Sequence, residues 1–479
     1  MDKGIAQEEE SLADTHGGTK GGATATSLRY NHDGISKVTS PKPKDISVED
    51  GKAPPAACPL IEGHGEVHHP TSFLETLIHL LKGNVGSGMF AMGDAFRNAG
   101  LIASPLITLL LGVICVYSQH MLLSGARELQ RRTRSPVLPT FAETMELSFK
   151  TGPPKLHGFA KTVRLWINVF LCVTQMGFCS VYFVFISDNL KMVMDYYNAE
   201  LDIHIHMTII LLPIMLSCWI RDLKYLVPLS LFANVAMTVG IAVTLYYISQ
   251  ELPAPSTREY IAPWTKIPLF FGTAIYSFEG IGLVLPLQNE MKQPEQFTRR
   301  FGVLNIGMTI VTCLLVIMGF LGYLKYGDNV QGSLTLNLPQ QDILAQAVQL
   351  TICLGILFSY ALQMYVPIEI LWPHVLKRWG PFKYSSLTDI IFRSSLVLIT
   401  FILAEAIPHL SLFISLVGAV SSTALALFFP AIMDLAIHWE SGLGHLKWLL
   451  WKDSFIICIG IIGFLTGTYA SIEAIVQRL

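Results

Sequence analysis

The residues of this chain best able to do chemistry gather in two short stretches inside long apolar runs. The first, HLLKGNVGSGMFAMGD (79–94), holds His79, Lys82, Asn84, Ser87 and the glycines Gly83, Gly86 and Gly88. The second, YSFEGIGLVLP (276–286), holds Tyr276, Ser277, Phe278, Glu279 and the pair Gly280 and Gly282. Neither carries enzymatic equipment: GxSxG, HExxH and a P-loop ending in GK[ST] are absent from the chain. What they offer is proton exchange and open main chain. An imidazole titrates near 6.5, so His79 could take a proton from an acidic compartment and release it to the cytosol. It lies one helical turn before Gly83, on the same face as the glycine cluster. A carboxylate such as Glu279 inside an apolar run is costly and by default functional. It could hold an ammonium, carry a proton, or pin its segment to a neighbour.

The elements that must position these groups are membrane spans. Of 479 residues, 52% are hydrophobic and 14% charged, against roughly 25% charged in a soluble domain. With a mean hydropathy of +0.49, the chain reads as an all-α polytopic membrane protein. Eleven segments approach the ~20 apolar residues a span needs: 71–94, 101–127, 165–190, 206–220, 225–248, 268–288, 301–324, 343–372, 388–406, 409–437 and 450–475. The fourth is short and carries Pro213. Lys and Arg collect on the cytoplasmic side. With the N-terminus cytoplasmic and all eleven segments crossing, eighteen loop Lys and Arg fall inside and six outside. That bias supports the fourth span and puts the C-terminus outside or in a lumen.

Residues 1–70 read as a disordered cytoplasmic tail, because their polar, Gly- and Pro-rich composition buries too little apolar area to offset ordering. Residues 71–479 form the transmembrane domain. The tail histidines His64, His68 and His69 have no companion ligands for a metal site. The eight cysteines show no metal or CxxC spacing and read as small apolar fillers. There is no basic run to suit nucleic acid. The partners expected are the bilayer and a small solute.

The two polar stretches occupy corresponding places, each in the first span of a five-span block, and each pairs a polar residue with Gly-x-Gly. Corresponding interrupted spans in two halves point to a transporter site, and an odd block length inverts the second half. Unwound backbone survives in a membrane only where it lines a cavity or is packed by other helices. The helix starting near Gly88 would present loose N–H groups and partial positive charge to a carboxylate. Freed carbonyls and hydroxyls at the other break suit an ammonium, so a zwitterion fits both. The expected contacts are Gly83, Asn84, Val85, Gly86, Ser87 and Gly88 from the first break, and Tyr276, Ser277, Phe278 and Gly280 from the second.

LIHLLKGNVGSG with AFRNAG (77–88, 95–100) and FEGIGLVLPLQNEMKQP (278–294) resemble the proton-coupled amino acid transporters of the amino acid/auxin permease group. The resemblance covers about residues 68–479. It implies a LeuT-like inverted five-plus-five fold with broken spans 1 and 6 and an added eleventh helix. It also implies symport of small neutral amino acids (Ala, Gly, Pro type) with protons toward the cytosol, at the plasma membrane or a lysosomal membrane. No cofactor is implied beyond the coupling proton. The resemblance points to a span 1 histidine in proton coupling, here His79, with Glu279 as second candidate. It puts Tyr182 and Tyr360 on helices that line the pocket; Phe278, beside the second break, is expected from its position to cap it. Many members read an aliphatic run ending in Leu-Pro where this chain has Met89–Asp94, a departure shared with invertebrate branches. Phe90, Asp94 and the long tail keep open the alternative of an amino acid-sensing transceptor with little flux. Lys82 is expected to snorkel toward the cytoplasm. Asp188, Glu405 and Asp434, near span ends, are expected to be solvated.

Overall fold

The computed structural model describes residues 70–478 apart from 222, 381, 383 and 441. The expected tail, with His64, His68 and His69, lies outside the described residues except for residue 70. Fifteen α-helices follow in order: α1 Phe73–Asn84, α2 Ser87–Ala99, α3 Ala103–Thr133, α4 Phe141–Thr151, α5 Ala160–Tyr196, α6 Ile203–Cys218, α7 Leu223–Ile248, α8 Ile267–Ser277, α9 Ile281–Glu290, α10 Val303–Tyr326, α11 Ile343–Trp379, α12 Ser385–Ala406, α13 Leu410–Val417, α14 Phe429–His438 and α15 Trp448–Val476. Among the described residues the only β pairing is an isolated parallel bridge, Thr71 with Met291.

Nine stretches among the described residues are long and apolar enough to cross a membrane. The chain is therefore an all-helical, multi-pass membrane protein. The first expected span falls on α1 and α2, which the break divides into pieces of 12 and 13 residues. The fourth falls on α6, only 16 residues long. A count of eleven requires both to cross.

Local chemistry explains where the broken helices start and stop. Ser72 caps α1 in a reciprocal box: the Ser72 N–H donates to Glu75 Oε2 at 2.7 Å and the Glu75 N–H to Ser72 Oγ at 3.4 Å. After Asn84 the chain turns extended at Val85 and Gly86, and α2 begins at Ser87 with no side-chain cap. It ends at Gly100, whose φ of +98° and a Cβ site 2.7 Å from the Ala262 nitrogen and the Tyr260 oxygen leave room for glycine alone. The second break, Phe278–Gly280, separates α8 from α9.

Three features depart from the sequence expectation. The segment between spans 2 and 3 contains α4, opened by a Thr140/Glu143 capping box. The tenth span is interrupted: Gly418–Ser422 and Ala424–Phe428 wind as π-turns between α13 and α14. Asp434 is buried rather than solvated, with its Oδ2 2.7 Å from Lys452 Nζ and its Oδ1 3.1 Å from His438 Nδ1. Asp188 and Glu405 are half-buried, and Glu405 pairs with His204. A carboxylate near a span end stays dry when a basic partner on the next helix covers it.

Candidate substrate site

The two breaks meet. The Asn84 side chain lies against Gly280, where an added Cβ would sit 2.5 Å from Asn84 Oδ1 and 2.7 Å from Nδ2. Ser87 Oγ and Tyr276 OH share a hydrogen bond of 2.9 Å across 189 residues of sequence. At Gly88 a Cβ would stand 2.7 Å from Ser277 Oγ, so glycine lets α2 seat directly on α8. Ser277 is itself held by the Thr273 carbonyl at 2.8 Å.

A small cavity of about 30 Å³ opens where they meet, lined by Asn84, Ser87, Tyr276, Ser277, Glu279 and the three glycines Gly83, Gly86 and Gly88, with Phe178, Tyr182 and Gln363. It has room for a water or two. Two acceptors of this lining are left without a hydrogen-bond partner among the described residues, Asn84 Oδ1 and Glu279 Oε2. The Asn84 amide donates to the Leu80 carbonyl at 2.9 Å, which fixes the free oxygen away from its own helix. At the other side, the first N–H groups of α2 lack intrahelical acceptors by construction and carry the positive end of the helix dipole. The site thus sets loose donors at one helix start against two orphan acceptors.

A second, larger cavity of about 710 Å³ shares Gly83, Gly86, Phe178, Tyr182, Glu279 and Gln363 with the first. It runs along α1 and α9 toward the end where α1 begins. His79 and Lys82 line it, as do Val85 and Gly280. His79 is exposed and Lys82 half-buried. His79 therefore faces the larger cavity, one turn from the break, and not the small one.

Two expected residues fall elsewhere. Phe278 is buried against α3 and α10, its ring tip 3.2 Å from the Cβ site of Gly112, and does not cap the cavity. Tyr360 is fully buried; its hydroxyl shares a hydrogen bond with Thr400 of α12 at 2.6 Å and lines neither cavity. The aromatic that closes the site is Phe178, whose ring stands edge-on to Tyr276 with centroids 4.5 Å apart. Phe178 lies four residues before Tyr182, on the same helix face. Gln363 lies one turn after Tyr360, an amide within a long apolar helix. Both signals are present in the sequence. Phe90 and Asp94 lie outside both cavities: Phe90 packs on Phe185, and Asp94 pairs with Arg97.

Two unwound breaks facing each other across a polar cavity, in a bundle of apolar helices, define a membrane transporter of the broken-helix kind. The chain matches the transmembrane amino acid transporter protein family over residues 69–473, and it belongs to that family. It is 38% identical to the Drosophila melanogaster "Proton-coupled amino acid transporter-like protein pathetic" over 85% of this chain and 86% of that one. It is 27% identical to the Caenorhabditis elegans "Probable amino acid transporter skat-1" over 90% and 95%. The inward-facing conformation of Mhp1 overlays 86% of this chain and 92% of that chain with a TM-score of 0.47 at 11% identity.

Proposed function

We propose that this chain is an eleven-span, proton-coupled symporter of small neutral amino acids, moving them toward the cytosol. The observation that carries the reading is the meeting of the two breaks around Asn84 Oδ1 and Glu279 Oε2, both without partners, opposite the start of α2. A carboxylate docks on the N–H groups at the start of α2, displacing the Tyr276 hydroxyl from Ser87. An ammonium docks on the free oxygens of Asn84 and Glu279. The cavity, sized for a water or two in this arrangement, must widen to admit an amino acid, and its walls Phe178 and Tyr182 favour side chains as small as those of Gly, Ala and Pro. His79 and Glu279 exchange the coupled proton, His79 from the larger cavity and Glu279 from the wall the two cavities share. The name of the Drosophila relative, a proton-coupled amino acid transporter-like protein, supports the same choice of ion.

Uptake of labelled alanine, glycine and proline into cells expressing the chain tests this, at external pH 5.5 and 7.5, after surface expression is confirmed. Acid-stimulated uptake, lost in His79→Ala or Glu279→Gln, is the expected result. Uptake independent of external pH would remove the proton. No uptake of any of the three would remove the substrate class.

A further inference from the structure

The larger cavity contains a cation the proposed transport cycle does not use. Lys82 makes no hydrogen bond or ion pair among the described residues, though it is half-buried. Glu279, the one acid on the same wall, does not pair with it. The remaining surface is largely aliphatic, with Leu81, Val85, Ile241, Leu245, Leu287 and Leu314. An ammonium drawn partly out of water without a counter-charge is costly. The volume of about 710 Å³ lies within the roughly 300–1,000 Å³ usual for small-molecule sites.

We infer that this cavity, which adjoins the substrate pocket and shares one wall with it, is a second binding site for an apolar monocarboxylate whose carboxylate pairs with Lys82 and whose hydrocarbon part lies against the aliphatic wall. The carboxylate supplies the missing charge, and the apolar part replaces water along the wall. An amino acid is the rival occupant, its ammonium placed at Glu279 on the same wall, and the alanine arm of the test separates the two. Because the two cavities share Gly83, Gly86, Phe178 and Glu279, an occupant here obstructs the inner path to the substrate pocket and acts as an inhibitor.

The test uses the purified full chain in detergent and reads thermal unfolding with 4-phenylbutanoate, 4-phenylbutan-1-ol and alanine at equal millimolar concentration. The expected result is a rise in Tm of a few degrees with the carboxylate alone, retained in Lys82→Arg and lost in Lys82→Gln. Equal stabilisation by the alcohol, or a shift that survives Lys82→Gln, would overturn the proposal. So would a Lys82-dependent shift with alanine, which would assign Lys82 to the substrate itself. Should Lys82→Gln fail to fold, Ile356→Trp fills the cavity from α11 and leaves Lys82 in place; it too should lose the shift, and retention would count against the site. The readout needs neither transport nor a proton gradient, so it succeeds or fails independently of the symport assay.

Discussion

At the scale of single residues, the glycines of the two breaks are not equivalent, and their difference is measurable. A Cβ at Gly280 would press on the Asn84 amide at 2.5–2.9 Å, whereas at Gly282 its nearest neighbour is Leu171 at 3.7 Å. Gly280→Ala should abolish uptake with the protein still at the surface, and Gly282→Ala should retain most of it. Equal effects would mean the contact between the breaks is not required. The tyrosines make a second contrast. Tyr276→Phe keeps the ring on Phe178 and loses the bond to Ser87, worth about 1 kcal/mol; because the substrate carboxylate displaces that bond, the apparent KM for alanine should fall by roughly fivefold. Tyr360→Phe loses the bond to Thr400, away from both cavities, and should lower Tm while leaving KM alone. The glycines and the polar residues of the breaks were legible because unwound backbone in an apolar run needs both. Tyr360 was misplaced because tyrosine is ordinary in a membrane core, and only packing tells which face of α11 meets the cavity.

At the scale of elements, the span positions could be read from apolar run length, while their partners across helix interfaces could not. The Thr140/Glu143 box ahead of an apolar run signals α4, but a search by span length passes over an 11-residue helix. Within α4, Glu146 meets Lys150 and Arg164, each at 2.7 Å. Burial pushes its carboxyl up, but the two cations outweigh burial and hold its pKa below the ordinary value. A lowered folded-state pKa contributes stability above the ordinary carboxylate pKa and loses it as pH falls through the lowered value. Glu146→Gln should therefore lower Tm at pH 7, and the gap from wild type should close below about pH 4. Where α14 meets α15, Lys452 serves both Asp434, at 2.7 Å, and Asp453, at 3.1 Å. Lys452→Met leaves buried Asp453 without an ion-pair partner and Asp434 with His438 alone, and should destabilise by about 3–5 kcal/mol. Adding Asp434→Asn and Asp453→Asn should recover much of that loss in thermal unfolding. These pairings lie between helices, and span-end position alone read Asp434 as solvated.

At the scale of the whole molecule, the two broken spans are joined at both ends as well as at the breaks. Where α1 begins and α9 ends, the Thr71 N–H donates to the Glu290 carbonyl at 2.8 Å and the Lys292 N–H to the Thr71 carbonyl at 2.9 Å. At the opposite end, the Ala262 N–H, on the approach to α8, donates to the Ala99 carbonyl at 3.0 Å, and Arg97 ties α2 to the segment after α10 by donating to the carbonyls of Asp328 and Val330 at 3.2 and 3.0 Å. The larger cavity, lined by His79 and Lys82 of α1 and Leu283 and Leu287 of α9, lies toward the first of these ends. Alternating access then requires the contacts at these two ends to make and break in turn. The pairing of the two halves was legible in the repeated glycine pattern; the state of the gates was not, because it depends on which of two packings the same contacts favour. The central claim, that amino acid and proton cross together, is tested most directly in proteoliposomes holding a pH-sensitive dye inside. With the membrane potential clamped and no initial pH gradient, external alanine should acidify the lumen in wild type and not in Glu279→Gln. Alanine entry without acidification in the wild type would contradict the account.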